Sequence, residues 1–334
     1  MTTTQQAPPK KEAQAKPRKR GYGMSESRLG SLLVSPTVLV LGLVVAYPML
    51  AAIRQSMYGE PGLVNGFVSD TEPYVGLQNY VSALFGVDAE RFWNAFYNTS
   101  FFTVTTVLLE TVIGVAMALI MHRAMRGRAI VRASILIPWA IPTAVSAVLW
   151  GWIFNTDGVA NAILPGAPIL WTTEGFQAQA AVIIAEVWKT APFIGLLTLA
   201  GLQVISEEVY EAAKMDGASA WRRFWHITLP LVKPALLVAV LFRLLDSLRM
   251  FDLPYILIGP HKDSVETISM LVQDQATAAL DYGSAAAYAV ILFFYVFAVV
   301  FAFVGILGAD IVGDHDDGPR VPLRRRLFAR GGRS

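Results

Sequence analysis

Two groups of charged residues stand inside strongly apolar stretches of this sequence, and their spacing limits what they can do. Glu186 and Lys189 lie three positions apart, and Arg243, Asp246, Arg249 and Asp252 follow one another at the same interval. Residues three apart on a helix are neighbours, so opposite charges can neutralise each other locally. Charge within a bilayer is costly and turns toward a protein interior or a water-filled path. Glu186 and Lys189 therefore read either as a self-neutralising pair that lets a helix pack among others or as groups that touch a polar solute. At ~100° per residue the ladder from Arg243 to Asp252 winds about halfway round its helix. No purely lipid-facing stripe accommodates that, so this helix should be buried among others and line part of an aqueous route, with Asp252 and Tyr255 toward its outer end.

Other chemistry is excluded by composition. The 334-residue chain is 54% hydrophobic and 16% charged, with a mean hydropathy of +0.49, which marks an integral membrane protein. It has no cysteine, and its histidines, His122, His226, His261 and His315, are scattered, so thiolate or clustered-histidine metal sites are not expected. Neither a G-x-x-x-x-G-K-[ST] phosphate loop nor an H-E-x-x-H or G-x-S-x-G motif occurs, so no catalytic, cofactor-binding or metal-binding residues are expected and the chain reads as a non-enzyme. If ATP drives its work, another subunit must hydrolyse it.

The elements that must hold these charges are membrane helices. Requiring about 20 mostly apolar residues per span gives six: 31–53, 98–120, 133–154, 177–202, 231–258 and 284–308. The first is too long for a signal-peptide core. With the N-terminus inside, segments 1–30, 121–132, 203–230 and 309–334 are cytoplasmic and hold most of the 27 basic residues, whereas the outside segments hold only Arg54, Arg91 and Lys262. Basic residues are retained in short cytoplasmic loops, so both termini are expected in the cytoplasm of a multi-pass plasma-membrane protein. Residues 1–30, rich in Lys, Arg, Pro and Gln, read as a disordered basic tail, and 309–334 as a second basic tail. The external segment 58–95 is too polar to span and should carry a short amphipathic piece near residues 77–86 on the membrane surface. Pro138, Pro142 and Pro192 fall inside spans and read individually as helix kinks.

The stretch "EAAKMDGASAWRRFWHITLP", residues 211–230, interrupts this apolar pattern within the cytoplasmic segment 203–230. Ser206 suits an N-cap, followed by Glu207 and Glu208 in a first turn that favours anions. A helix over 207–215 then ends at Gly217, which tolerates the left-handed conformation. Ser219 suits the cap of a second short helix, whose Trp221, Phe224 and Trp225 could pack under the membrane helices, and Thr228 and Pro230 suit the start of the fifth span. The segment is thus a rigid helix, break and helix, and its small-faced first helix suits a groove in a partner protein.

This stretch resembles the EAA loop of binding-protein-dependent ABC importer permeases, with Glu211, Ala212, Ala213, Gly217, Ile227, Leu229 and Pro230 at the family's spacings. Asp216, Gly217 and Ala218 further resemble the carbohydrate branch related to maltose permeases. The resemblance covers roughly residues 30–308, including "RASILIPWAIPTAVSAVLWGWIFNTDGVAN", "MFDLPYILIGP" and "DYGSAAAYAV". The family's Gly-Gly-Pro after the fifth span is shortened here to Gly259-Pro260.

The resemblance implies an all-α, polytopic membrane protein with six transmembrane helices and the ABC type I importer permease fold, residues 31–308 forming the permease domain. It implies uptake of a sugar, a disaccharide such as trehalose, by alternating access. The implied partners are a second homologous permease, two ATPase subunits that hold ATP and Mg, an extracytoplasmic sugar-binding lipoprotein and membrane lipid, and no nucleic acid. Glu211, Ala212, Ala213, Asp216, Gly217, Ile227, Leu229 and Pro230 would couple the chain to the ATPases. Trp188, Asp252, Tyr255 and Gln273 are candidates, by position, for the sugar path. Alternatives are an ion-coupled secondary transporter using Glu186, Asp246 and Asp252, a permease for another solute such as glycerol phosphate or maltose, or a membrane scaffold whose loop docks a soluble protein.

Overall fold

The computed structural model describes residues 26–60, 72–123 and 126–307, with the strands β1 (Leu63–Val64) and β2 (Phe67–Val68) between the first two segments. The predicted tail 309–334 lies outside the described residues, as do residues 1–25. Residues 26–30, expected in the N-terminal tail, instead open the first helix, because backbone hydrogen bonding continues past the apolar run. The chain forms two compact units, divided between Ala51 and Ala52.

The first unit holds α1 (Glu26–Leu41), a five-residue π-turn (Gly42–Ala46) and the start of α2 (Tyr47–Gln55). From Arg28 to Leu50 every side chain is exposed, as suits a helix surrounded by lipid or by another protein. Pro36 deprives the Leu32 carbonyl of its helical donor, and the Ser35 hydroxyl donates to that carbonyl at 2.9 Å.

The second unit takes up the end of α2 and then the two-residue β1 and β2, paired antiparallel with Leu63 opposite Val68. It continues through the short α3 (Gln78–Phe85), where an amphipathic piece was predicted, and α4 (Ala89–His122). Next come α5 (Arg128–Ala140), α6 (Thr143–Ile153), α7 (Val159–Ile163) and α8 (Phe176–Val204). The chain then forms α9 (Glu207–Met215), α10 (Ala220–Arg223), a π-turn (Phe224–Thr228) and α11 (Leu229–Ser247). It finishes with α12 (Asp252–Leu257), α13 (Ile268–Thr277) and α14 (Tyr282–Leu307). Among the described residues, 5 helices are long and apolar enough to cross a membrane, or 6 if α5 and α6 form one broken span.

That break corrects the reading of the third span as a helix with simple kinks. α5 and α6 meet at 96°. Ile141 precedes Pro142 and takes an extended conformation, ψ 133°, because the proline ring disfavours helical geometry in the residue before it. The fifth span differs as well. It runs without interruption from Ala220 to Ser247, so the second short helix of the 203–230 segment and the span are one rod. The rod stops at Ser247, before the predicted residue 258, and Pro254 in the first turn of α12 has no N–H to offer the Met250 carbonyl. The Thr267 hydroxyl bonds that carbonyl instead, at 2.8 Å.

The core is built where α8 crosses α4 and α11. These contacts use small residues, which let helix backbones approach in a membrane. A Cβ added at Gly114 on α4 would lie 2.8 Å from Ile194 Cβ on α8, and one at Gly201 on α8 would lie 2.6 Å from Ala235 Cβ on α11. Ala118 and Met121 of α4, Leu199 and Leu202 of α8 and Val232 of α11 fill the cluster toward the 203–230 side. Ala178, Ala181, Val182 and Ala185 of α8 fill another with Phe102, Ala147, Leu253 and Leu257.

Candidate functional site

α4, α8 and α11 place three charged side chains together between the helices. Arg243 donates to both carboxylate oxygens of Glu110, through Nε to Oε2 at 2.7 Å and Nη2 to Oε1 at 3.1 Å, and to Glu186 Oε1 at 2.9 Å. The Thr190 hydroxyl lies 2.6 Å from both Glu110 Oε1 and the Glu186 carbonyl. Glu110 is wholly buried and Arg243 is 4% exposed. A buried guanidinium suits this task because its planar fork meets a carboxylate with two parallel bonds.

This triad corrects the expected pairing of Glu186 with Lys189. Glu186 turns to Arg243 on another helix, while Lys189 is half-buried. Glu110 was absent from the sequence reading altogether. Its signal was available: it is the one acid inside the apolar run "TVTTVLLETVIGVAM", and an ionisable residue within a span implies a partner. In the ladder itself Asp246 pairs with both neighbouring arginines, as its spacing suggested. Asp246 lies 3.5 Å from Arg243 and 3.6 Å from Arg249. Arg249 and Asp252, however, fall beyond the end of α11.

The 203–230 element forms the second part of the site. α9 ends in a hydrogen-bonded stop: Gly217 N–H donates to the Lys214 carbonyl at 3.0 Å and Ala218 N–H to the Ala213 carbonyl at 2.9 Å. These two bonds require a left-handed residue after the cap, and Gly217 supplies it with φ 74°. Ala213 is buried, while Glu211, on the opposite side of the helix, and Ala212 and Asp216 are exposed. The Tyr210 hydroxyl donates to Thr228 Oγ1 at 3.2 Å, tying α9 to the base of the rod.

Two local expectations change. The Ser206 side chain makes no cap bond; a tight first turn brings Val209 N–H to the Ser206 carbonyl instead, at 3.3 Å. Ser219 does cap α10, accepting from Arg222 N–H at 3.3 Å. Trp221 and Trp225 are exposed rather than packed beneath the membrane helices, because α10 projects along the axis of α11. They meet each other edge to face at 5.5 Å. Ile227 and Leu229 are half-buried in the rod, and Pro230 is exposed on it. The π-turn before Pro230 closes with Leu229 N–H on the Phe224 carbonyl.

The four side chains proposed for a solute path are not gathered into one cluster. Trp188 on α8 meets Trp150 of α6 edge to face at 5.6 Å. Tyr255 stacks on Phe251 at 4.9 Å, beside the exposed Asp252 at the start of α12. Gln273 sits on α13, within 3.4 Å of Thr277 Oγ1. Among the described residues no group of three or more His, Cys, Asp or Glu could hold a metal ion.

Comparison with known proteins matches residues 110–312 to the family described as "Binding-protein-dependent transport system inner membrane component". The matched segment contains both the ion triad and the 203–230 element. The chain is 38% identical over 291 residues to the trehalose/maltose transport system permease protein MalF of Thermococcus litoralis, covering 85% of this chain and 96% of that one. It is 37% identical over 302 residues to the trehalose transport system permease protein SugA of Mycobacterium tuberculosis, covering 89% and 94%. A chain of the bacterial ABC transporter involved in the import of the acidic polysaccharide alginate shares the fold, with TM-score 0.72 and 21% identity over 85% of this chain and 96% of that one. The exposed Glu-Ala-Ala helix with its glycine stop, the helical fold and these matches agree: this chain belongs to the inner membrane components of binding-protein-dependent transport systems.

Proposed function

We propose that this chain is one of two permease subunits of an ATP-driven sugar importer, with a disaccharide such as trehalose as cargo and both termini in the cytoplasm. The observation that carries the reading is mechanical. An exposed helix bearing Glu211 and Asp216 is fixed by Gly217 and Tyr210 to a rod that ends at the charged centre of the helix bundle. Relatives whose names specify trehalose or maltose support the cargo.

In this reading α9 docks in a groove of a partner ATPase, where Glu211 and Asp216 meet basic residues. ATP and its magnesium belong to the two ATPase subunits. Their closure pushes α9, and the rod from Ala220 to Ser247 carries the displacement to Arg243, which touches α4 and α8 together. An extracytoplasmic binding protein delivers the sugar. Such a switch requires partners that bind the two states with different affinity, and ATP and the loaded binding protein supply that difference. Trp188, Asp252, Tyr255 and Gln273 are proposed to meet the sugar at different stages of passage, since they are dispersed over three elements.

The test is to purify the chain with its natural partners, reconstitute the complex and measure ATP hydrolysis with a panel of disaccharide-loaded binding proteins. Stimulation by one disaccharide, with its accumulation in the vesicles, is expected. Solute uptake driven by an ion gradient without the ATPases would overturn the proposal.

A further inference from the structure

A cleft of about 1020 Å³ opens between the end of α4, the end of α8, α9 and α10. Its lining changes character along its length. Val112, Val115, Ala116 and Leu119 of α4 form an apolar wall, and Arg123, Lys214 and Arg223 stand at the mouth. From Val112 to the end of α4 at His122 the helix rises about 15 Å. That is about half of a ~30 Å hydrocarbon core, the depth of a single leaflet.

Arg123 and Lys214 are exposed and Arg223 half-exposed. Among the described residues none of the three forms an ion pair, and Glu207 is the one acid of the lining. His122 lines the cleft beside them, and Trp221 and Phe224 supply the aromatic rings found at headgroup depth. A protein helix bound here would leave these cations without carboxylates unless it were itself acidic. A lipid satisfies both ends at once.

We propose that this cleft binds one anionic phospholipid, its phosphate held by Arg123, Lys214 and Arg223 and an acyl chain laid along Val112, Val115 and Leu119. The inference rests on the cytoplasmic placement of 207–223 proposed above. Because the lipid wedges between α9 and the ends of α4 and α8, it lies beside the joint that the ATPases are proposed to push.

The experiment uses the assembled transporter in mild detergent, exposed to equimolar phosphatidylglycerol and phosphatidylcholine and examined by native mass spectrometry. Wild type should retain phosphatidylglycerol preferentially. Arg123→Gln, Lys214→Gln and Arg223→Gln should each reduce that preference about fivefold, the effect of one basic residue at an anionic surface. Ala116→Trp, which fills the apolar wall without changing charge, should lower retention of both lipids. Combined Arg324→Gln, Arg325→Gln and Arg326→Gln in the C-terminal tail should change neither. Equal retention of the two lipids by wild type, or loss only in the tail variant, overturns the proposal. Orientation is read separately: the chain has no cysteine, so Met215→Cys can be tested with an impermeant thiol reagent in intact cells. Labelling from outside would reject the cytoplasmic placement, while the retention measurement would still report the cleft.

Discussion

Arg243 on α11 grips Glu110 on α4 through two hydrogen bonds, although the residues are 133 positions apart in sequence. The same guanidinium reaches Glu186 on α8, so one side chain sets the relation of three membrane helices. Breaking a buried pair by removing one partner leaves an uncompensated charge and costs about 3–5 kcal/mol. Arg243→Ala should therefore lower the thermal unfolding temperature in detergent and the yield of folded protein. Arg243→Lys should rescue little, because an ammonium lacks the planar fork. Arg243→Met combined with Glu110→Gln and Glu186→Gln should recover most of the stability; no recovery would show that the triad's charge is itself required.

Gly217 holds φ 74° where α9 turns away, and a side chain there costs about 1–2 kcal/mol. Gly217→Pro also removes the N–H that bonds Lys214. It should leave the protein in the membrane but separate ATP hydrolysis from uptake. Gly217→Asn should retain uptake, since asparagine tolerates the left-handed region. Unchanged transport in the proline variant would reject α9 as a lever.

Glu211 is exposed on the face of α9 away from the buried Ala213. Glu211→Lys reverses charge without touching the core, so folding should be unaffected while ATPase subunits co-purify in smaller amount. Normal recovery of the ATPases would place their contact elsewhere.

Gly114 lets α4 approach α8 until a Cβ would lie 2.9 Å from the Ala191 carbonyl. Because the obstacle is backbone, a larger residue must separate the helices. Gly114→Leu should destabilise the protein by at least the ~1–3 kcal/mol typical of overpacking, and circular dichroism melting would register it. An unchanged melting temperature would mean that the helices separate there without loss.

Local chemistry was legible in the sequence and long-range pairing was not. Apolar run lengths located the membrane helices, and the spacing from Glu211 to Pro230 located α9, the glycine stop and the cap at Ser219. Proline rules could have found the break at Ile141 and Pro142, where two prolines and a preceding-residue constraint act together rather than as separate kinks. The stop after Ser247 was harder, because the chain beyond it is held by a distant partner: the Thr267 hydroxyl bonds the Met250 carbonyl from the far side of a loop. Spacing offered Glu186 its sequence neighbour Lys189 or a solute, whereas its partner is Arg243 of another helix, shared with Glu110. Spacing along one helix reveals which charges share a face, but not which helix that face meets.

The π-turn at Phe224–Thr228 has a consequence for timing around the rod. A π-turn takes up one extra residue in a wider i→i+5 loop, so the helix axis continues while the residues beyond it sit one position, about 100°, away from the face that an unbroken α-helical count would give them. The nine residues between Gly217 and Ile227 thus count an angular phase as well as a distance. Deleting His226, which lies in this turn, should restore an ordinary helix and keep its length nearly unchanged. The direction of α9 should then be kept as well, because the wider turn had absorbed the added residue, and what changes is which side chains of the turn itself face the bundle.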